Sequence, residues 1–487
     1  MAKSTSTNSL RIGWAQGDIT PLQPVLVAGQ FHARVSEGVK DPLTVTALVL
    51  DSGQDHAVLV SCDLVGIPDE LRDAVRALLS DTGPRLDPHK VILNGTHTHT
   101  GPEVHPYRGA PAENAFARSG VDLPAMTADE YLPFAAERIA QVIAQAWQSR
   151  TPGAVSFGHG YAVVGRNRRW TSTAGQSTMY GNTDTVDFSH IEGYEDHSVN
   201  ILATYDPKGG LTGLVVNVPC PSQVNEGDFK LSPDYWADTR QELRRRFGER
   251  LFVLPQCSAA GDQSPHLLFE KRAEHRMLDL KSRSECQEIA ARIADAVQET
   301  IPCIAKVSEG APLLRHHVEH IDLPLAQLTS ADVQTAQNEA DAQRRIYEQE
   351  KQKLDADPQL RNKPRWYCAV TAAYRRMRWY ESVTDRFHAQ QDHATFPAEL
   401  HVIRLGDMAI ATNPFEYYLD YGIHIKARSK AVQTFLVQLA GPGSYVPSAR
   451  SMAGGGYGSI PASNPVDATG GRQYAHRTVD VLDRLWT

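Results

Sequence analysis

Apolar positions recur along this chain in two rhythms, and the chain switches repeatedly between them. Residues 44–51 and 56–63 are β-prone runs separated by Ser52-Gly53-Gln54-Asp55, which predicts a hairpin. Residues 68–80 change to helical spacing, with Leu71, Val75, Leu78 and Leu79 on one side and a proline in the first turn. A short strand is expected at 91–93. A long amphipathic helix is expected at 127–149, with Thr127 and Glu130 in capping-box positions. Residues 199–205 and 212–218 flank a turn at Asp206-Pro207-Lys208-Gly209-Gly210. A helix over 235–247, a buried strand at 251–255 and one helix over 278–299 follow. Strands resume at 400–405, 408–412 and 431–439. This alternation predicts an α/β protein.

One stretch breaks the rhythm. Residues 330–387 are rich in Ala, Gln, Glu, Lys and Arg and are interrupted by Asp357-Pro358 and Lys363-Pro364. They read as a helical hairpin inserted into the main fold or laid over it. Its Trp366, Tyr367, Tyr374, Trp379 and Tyr380 would pack on the core or roof a substrate pocket.

Composition narrows the function classes. The chain has 487 residues, 41% hydrophobic and 22% charged, with a net charge of −8, which suits a globular protein with a large core. No basic field with interleaved aromatics points to nucleic acid. No run of about 20 apolar residues predicts a membrane span. Residues 1–10 are Ser/Thr-rich and lack the apolar centre of a signal peptide, so a cytoplasmic location is expected, although a trimmed secreted form would look the same. The six cysteines are scattered without a C-x-x-C pair, which fits reduced thiols. The glycines 454–456 are not followed by Lys-Ser/Thr, so they do not form a Walker-type phosphate loop.

The candidate chemistry sits where strands run out. Asn94-Gly95-Thr96-His97-Thr98-His99-Thr100-Gly101-Pro102 follows the apolar run 91–93. In an extended chain His97 and His99 would face one side, roughly 6–7 Å apart at their backbones. That pattern suits a metal site or an acid/base pair. Pro219-Cys220-Pro221-Ser222-Gln223 holds a cysteine in a rigid turn, either as a ligand or as a small buried hydrophobe. Ala259-Ala260-Gly261-Asp262-Gln263-Ser264-Pro265-His266 combines small residues with Asp262 and Ser264 on one side of an extended loop. Glu416 follows another strand in Asn413-Pro414-Phe415-Glu416, and Tyr445 and Tyr457 lie in the glycine-rich tail at 441–471.

In this order the segments resemble the neutral (non-lysosomal) ceramidase family. Thr96-His97-Thr98-His99-Thr100-Gly101-Pro102 is similar to its T-H-T-H-S-G-P signature, and Ala260-Gly261-Asp262-Gln263-Ser264-Pro265 to its A-G-D-x-S-P segment. Asn413-Pro414-Phe415-Glu416 is similar to a P-G-E-F segment, and Asp18-Ile19-Thr20-Pro21 to the opening D-I-T pattern. The resemblance implies a two-sheet α/β core flanked by helices, forming a single catalytic domain over 10–487 with the 330–387 hairpin inserted. It further implies a zinc ion held by His97, Glu416 and Tyr445. His99 and Ser264 would be catalytic, with Tyr457 assisting and Arg168 orienting substrate; Arg166 and Arg169 would also bind substrate. The family's second zinc histidine falls on Cys220, whose thiolate could replace it.

The expected activity is zinc-dependent hydrolysis of an amide or ester bond in a small soluble substrate, an N-acyl compound or a carbohydrate, by metal-activated water. Two other readings keep the same fold: a metal-dependent lyase acting on an acidic sugar, and a non-catalytic binding protein. A homo-oligomer is left open.

Overall fold

The computed structural model describes residues 9–80, 86–105 and 119–487, so most of the Ser/Thr-rich segment 1–10 lies outside the described residues. Along the chain, β1 (Arg11–Asp18), β2 (Thr44–Asp51) and β3 (His56–Cys62) form an antiparallel meander. Helix α1 (Asp69–Leu79) then crosses over to β4 (Val91–Gly95), which pairs with β3 in parallel. After α2 (Ala128–Gln148), β5 (Thr151–Pro152) closes the far edge of this sheet. The capping box that opens α2 is present, with the Thr127 backbone N–H donating to Glu130 at 2.6 Å.

The second sheet uses β6 (Ala154–Tyr161). Four short strands follow it: β7 (Arg166–Asn167), β8 (Arg169–Ser172), β9 (Ser177–Met179) and β10 (Phe188–Ile191). Strands β11 (Ser198–Tyr205) and β12 (Leu211–Val218) continue the sheet antiparallel, and α3 (Tyr235–Phe247) crosses over to the parallel strand β13 (Phe252–Cys257). After β14 (Gln263–Ser264) come α4 (Lys271–Lys281) and α5 (Glu285–Ile304). The helix expected over 278–299 is therefore two helices, broken at Ser282, which adopts a left-handed conformation.

The third sheet has β15 (Leu314–Pro324), then helices α6 (Ser330–Ala356) and α7 (Cys368–Ala389), then β16 (Thr395–Leu405) and β17 (Met408–Thr412). Strand β18 (Glu416–Tyr417) and α8 (Leu419–Arg428) lead to β19 (Gln433–Val437), parallel to β17. Strand β20 (Tyr445–Val446) pairs with β18, and α9 (Ala449–Gly454) and α10 (Ala468–Leu485) end the chain. Where two sheets were expected, three of four or five strands are found among the described residues. Strand β15 is the missing piece: its sequence LRHHVEHIDLP carries three histidines and little apolar alternation, because it is a partly exposed edge.

No sequence repeat is visible, yet one topology occurs three times: an antiparallel pair, a crossover helix and a parallel strand. Parallel pairing requires such a crossover. Alternation along the strands assigns the faces. Val45, Ala47 and Val49 pack on α1 and α2, whereas Leu48 and Leu50 point the other way. Leu202, Val215 and Leu254 of the second sheet and Ile403, Ile410 and Phe435 of the third meet them in one central core. In open α/β sheets, ligands bind beyond the carboxyl ends of the parallel strands. Here the segments after β4, β12, β13, β17 and β19 carry the histidine pair, Cys220, Ser264, Glu416 and Tyr445.

Candidate active site

Strand β4 stops at Gly95, and the next residues are pinned by backbone hydrogen bonds from Thr96 to Cys62 and from His97 to Leu64. His97 itself has φ 63, a left-handed conformation unusual for a residue with a side chain. The extended spacing of the two histidines therefore does not hold. Instead the turn brings their rings together, with Nε2 atoms 3.4 Å apart and ring centroids 4.9 Å apart. His97 Nδ1 lies 2.6 Å from the Val65 carbonyl. A carbonyl only accepts, so Nδ1 carries the proton and Nε2 presents its lone pair.

That lone pair faces Glu416 Oε2 at 3.3 Å. Burial opposes the charge on Glu416, but His97 with a proton at Nε2, Arg168 and the Tyr445 phenol outweigh it and hold the carboxyl below its ordinary range. Tyr445 reaches Glu416 because β18 and β20 pair with Glu416 opposite Tyr445. His97, Glu416 and Tyr445 thus converge. Among the described residues no three His, Cys, Asp or Glu side chains are spaced as a metal-binding set; the third donor here is a phenol.

Arg168 is buried behind this group, and both its terminal nitrogens are engaged while its Nε has no hydrogen-bond partner among the described residues. Its guanidinium donates to Gly261 O at 2.8 Å, Tyr180 Oη at 2.8 Å and Tyr445 Oη at 3.2 Å, and it stands 3.8 Å from Glu416. Ser264 Oγ is also buried. It accepts from Gln223 Nε2 at 3.2 Å and from the His266 backbone at 3.1 Å, and Tyr180 Oη lies 3.4 Å away. These partners orient the hydroxyl; none of them is a base that would activate it.

Cys220 does not join the group. Its Sγ faces the Pro221 carbonyl at 3.4 Å and packs with Val218 and Tyr235 in the core under α3 and α5. Burial, with Cys257 and Asp234 nearby, pushes its thiol well above the ordinary range, so it is held protonated. All six cysteines are free. Arg169, expected to meet substrate, is instead 0% exposed: it pairs with Glu192 at 2.9 Å and donates to the Tyr457 and Gly455 carbonyls. Arg166 is half-buried on β7, opposite Ser264 on β14.

Glu226, Tyr180 and Phe31 carried no signal readable in the chain, whereas Gln223, His266 and Trp379 stand in stretches already singled out. Glu226 lies 3.4 Å from His99 Nδ1 and 3.6 Å from His266 Nε2, bridging two imidazoles. Burial pushes the His99 imidazole down to about 4 despite Glu226, so it is neutral at pH 7. Tyr180 and Gln223 clamp Arg168 and hydrogen-bond to each other. Phe31 and Trp379 stand beside Tyr457, with Phe31–Trp379 centroids 5.3 Å apart and Trp379–Tyr457 centroids 5.7 Å apart. Of the five aromatics named above in the 330–387 stretch, Trp379 packs on Tyr457, whereas Trp366 and Tyr367 pack in a core with Val121 and Phe229. His97 and Glu416 open onto a cavity of about 280 Å³ walled by Ala28, Gly29, Val65 and Leu439.

Neither a family model nor a curated protein matches the chain. Two solved structures match over 98% of it: neutral ceramidase from Pseudomonas aeruginosa (TM-score 0.66, 16% identity, 74% of that chain covered) and a ceramidase complexed with C2 (TM-score 0.67, 15% identity, 75% covered). The chain therefore has the ceramidase fold, as its motifs led one to expect, in a divergent sequence. None of its described helices is long and apolar enough to cross a membrane.

Proposed function

We propose that this protein is a metal-dependent hydrolase that opens an amide bond in a small substrate. The observation that carries this reading is the convergence of His97, Glu416 and Tyr445, backed by Arg168, on the fold of proteins named for opening the amide of a ceramide. The donors fit a zinc ion. His97 Nε2 and Glu416 Oε2 are both acceptors facing each other at 3.3 Å, an arrangement that calls for a cation or a proton between them. His97, Glu416 and Tyr445 would hold the metal. Cys220 is turned away and does not complete the set. When bound, zinc supplies a Lewis acid and lowers the pKa of a coordinated water toward neutrality.

The chain's own groups do the rest. Arg168, fixed by Tyr180 and the Gly261 carbonyl, directs positive charge at Tyr445 and Glu416 and favours an oxyanion beside them. His99, neutral and backed by Glu226, can take a proton at Nε2. Val65, Gly66 and Leu439 wall the site with apolar surface and limit water. Hydrolysis of a panel of N-acyl amides, lost on chelation and restored by zinc, is the expected result. Full activity in a demonstrably metal-free sample would refute it. A second reading, β-elimination from a uronic acid, is favoured by the phenol of Tyr457 next to Tyr445; an unsaturated product absorbing in the ultraviolet would identify it.

A further inference from the structure

The site does not end at Tyr445. The Tyr445 and Tyr457 phenols are hydrogen-bond neighbours, with ring centroids 5.5 Å apart. Tyr457 is 40% exposed and meets Trp379 and Phe31, so an aromatic path leads from Glu416 to solvent. Each member comes from a different part of the chain. Phe31 lies on the loop whose Gly29 crosses the His99 ring, Trp379 lies on α7, and Tyr457 lies on the glycine-rich loop held by Arg169. Arg376, one turn before Trp379, places its guanidinium 5.2 Å from the Phe31 centroid. It is exposed, and no carboxylate pairs with it among the described residues. Nearby Arg375 is spent on Glu103 at 2.7 Å, and buried Arg34 on backbone carbonyls, including that of His99 at 2.6 Å.

We propose that this outer part of the site is a subsite for a six-membered sugar ring bearing a carboxylate. Trp379, Tyr457 and Phe31 offer flat apolar faces to the ring's C–H groups, and Arg376 offers a two-pronged donor to the carboxylate. A long aliphatic chain would gain nothing from the guanidinium and would meet rings instead of a groove of branched aliphatics. The proposal rests on the reading of the His97–Glu416 cavity as the reacting centre, but not on which bond is opened there.

Binding without turnover tests it. The affinities of full-length protein for 4-nitrophenyl β-D-glucuronide and 4-nitrophenyl β-D-glucoside are measured by calorimetry; the shared nitrophenyl group cancels in the comparison. The glucuronide is expected to bind about tenfold more tightly. Arg376→Gln should abolish that preference while leaving the glucoside unchanged, and Trp379→Ala should weaken both ligands. Arg376 is exposed, so its variant should fold. Equal affinity for the two ligands, no binding of either, or a preference that survives Arg376→Gln would overturn the subsite. So would tighter binding of N-octanoylglycine that Arg376→Gln leaves unaffected. Glucuronide preference without amide hydrolysis would retain the subsite and reject the hydrolase; hydrolysis without the preference would do the reverse.

Discussion

His97 Nε2 and Glu416 Oε2 stand 3.3 Å apart, two acceptors aimed at each other from segments more than 300 residues apart in sequence. The Val65 carbonyl fixes the imidazole tautomer, so the contact is satisfied only by a cation or an added proton. His97→Ala and Glu416→Gln should each lower turnover by about 100-fold or more. Elemental analysis should find zinc in the parent protein and substoichiometric zinc in both variants, with unchanged circular dichroism. Unaltered metal content in Glu416→Gln would remove that residue from the ligand set.

Cys220 offers a contrasting case. Its thiol is enclosed with Val218 and Tyr235 and is held protonated. Cys220→Ala should therefore behave as a small core deletion, costing about 1 kcal/mol in urea unfolding and leaving zinc content intact. Loss of zinc from this variant would show instead that the thiol turns toward the site when the metal is present.

These two residues show what the chain discloses. Strand ends followed by His, Glu and Tyr were legible because apolar runs and Gly/Pro breaks mark where parallel strands stop. The α/β alternation and the α2 capping box were legible for the same local reasons. What was not legible depends on tertiary geometry. The left-handed backbone of His97, which brings two rings together, has no composition signal. Glu226, Tyr180 and Phe31 enter the site through loops whose positions are set by distant packing. Arg169 had the appearance of a substrate arginine because Arg168 and Arg169 are adjacent, and in a strand adjacent side chains point to opposite faces. The strand that begins at Arg169 sends that side chain to Glu192, while Arg168 goes to Tyr445.

Arg169 is best tested through its partner. Glu192 is held below its ordinary carboxyl range because the Arg169 pair and the Ser177 and Ser451 hydroxyls outweigh burial. Arg169→Met should leave that carboxylate buried and unpaired, costing about 3–5 kcal/mol in chemical denaturation. The Tyr457 loop would lose its anchors, so the Tyr457 environment should loosen, read as faster proteolysis around residues 455–458 than in Glu192→Gln, which keeps Arg169. Equal stability of Arg169→Met and the parent would rule out the anchoring role.

Asp262 gives a pH dependence with a defined sign. Burial raises its carboxyl from 3.8 to about 6, although it accepts from the Leu419 backbone at 2.9 Å and from Asn167 at 2.9 Å. Between those values the folded protein binds more protons than the unfolded chain, so this group's contribution to stability falls as pH rises through the window, by about 3 kcal/mol in all. Asp262→Asn has nothing to titrate. The stability difference between parent and variant should therefore shift toward the variant from pH 4 to pH 7, measured by urea unfolding at both. A difference that is flat with pH would mean the carboxylate is not raised.

Gly29 has φ +97, and a Cβ there would lie 2.5 Å from Cγ of His99. Both the backbone and the space require glycine, and the same loop carries Phe31. Gly38 supplies the control: its φ is +123, but an added Cβ would meet nothing within 4 Å. Gly38→Ala should cost about 1 kcal/mol of stability through backbone strain alone and leave turnover near that of the parent. Gly29→Ala should carry the same strain and in addition displace the His99 ring from His97 and Glu226, lowering turnover by about 100-fold if His99 handles the proton. If the two variants lose stability alike and keep activity alike, the close passage of this loop over His99 has no part in the chemistry.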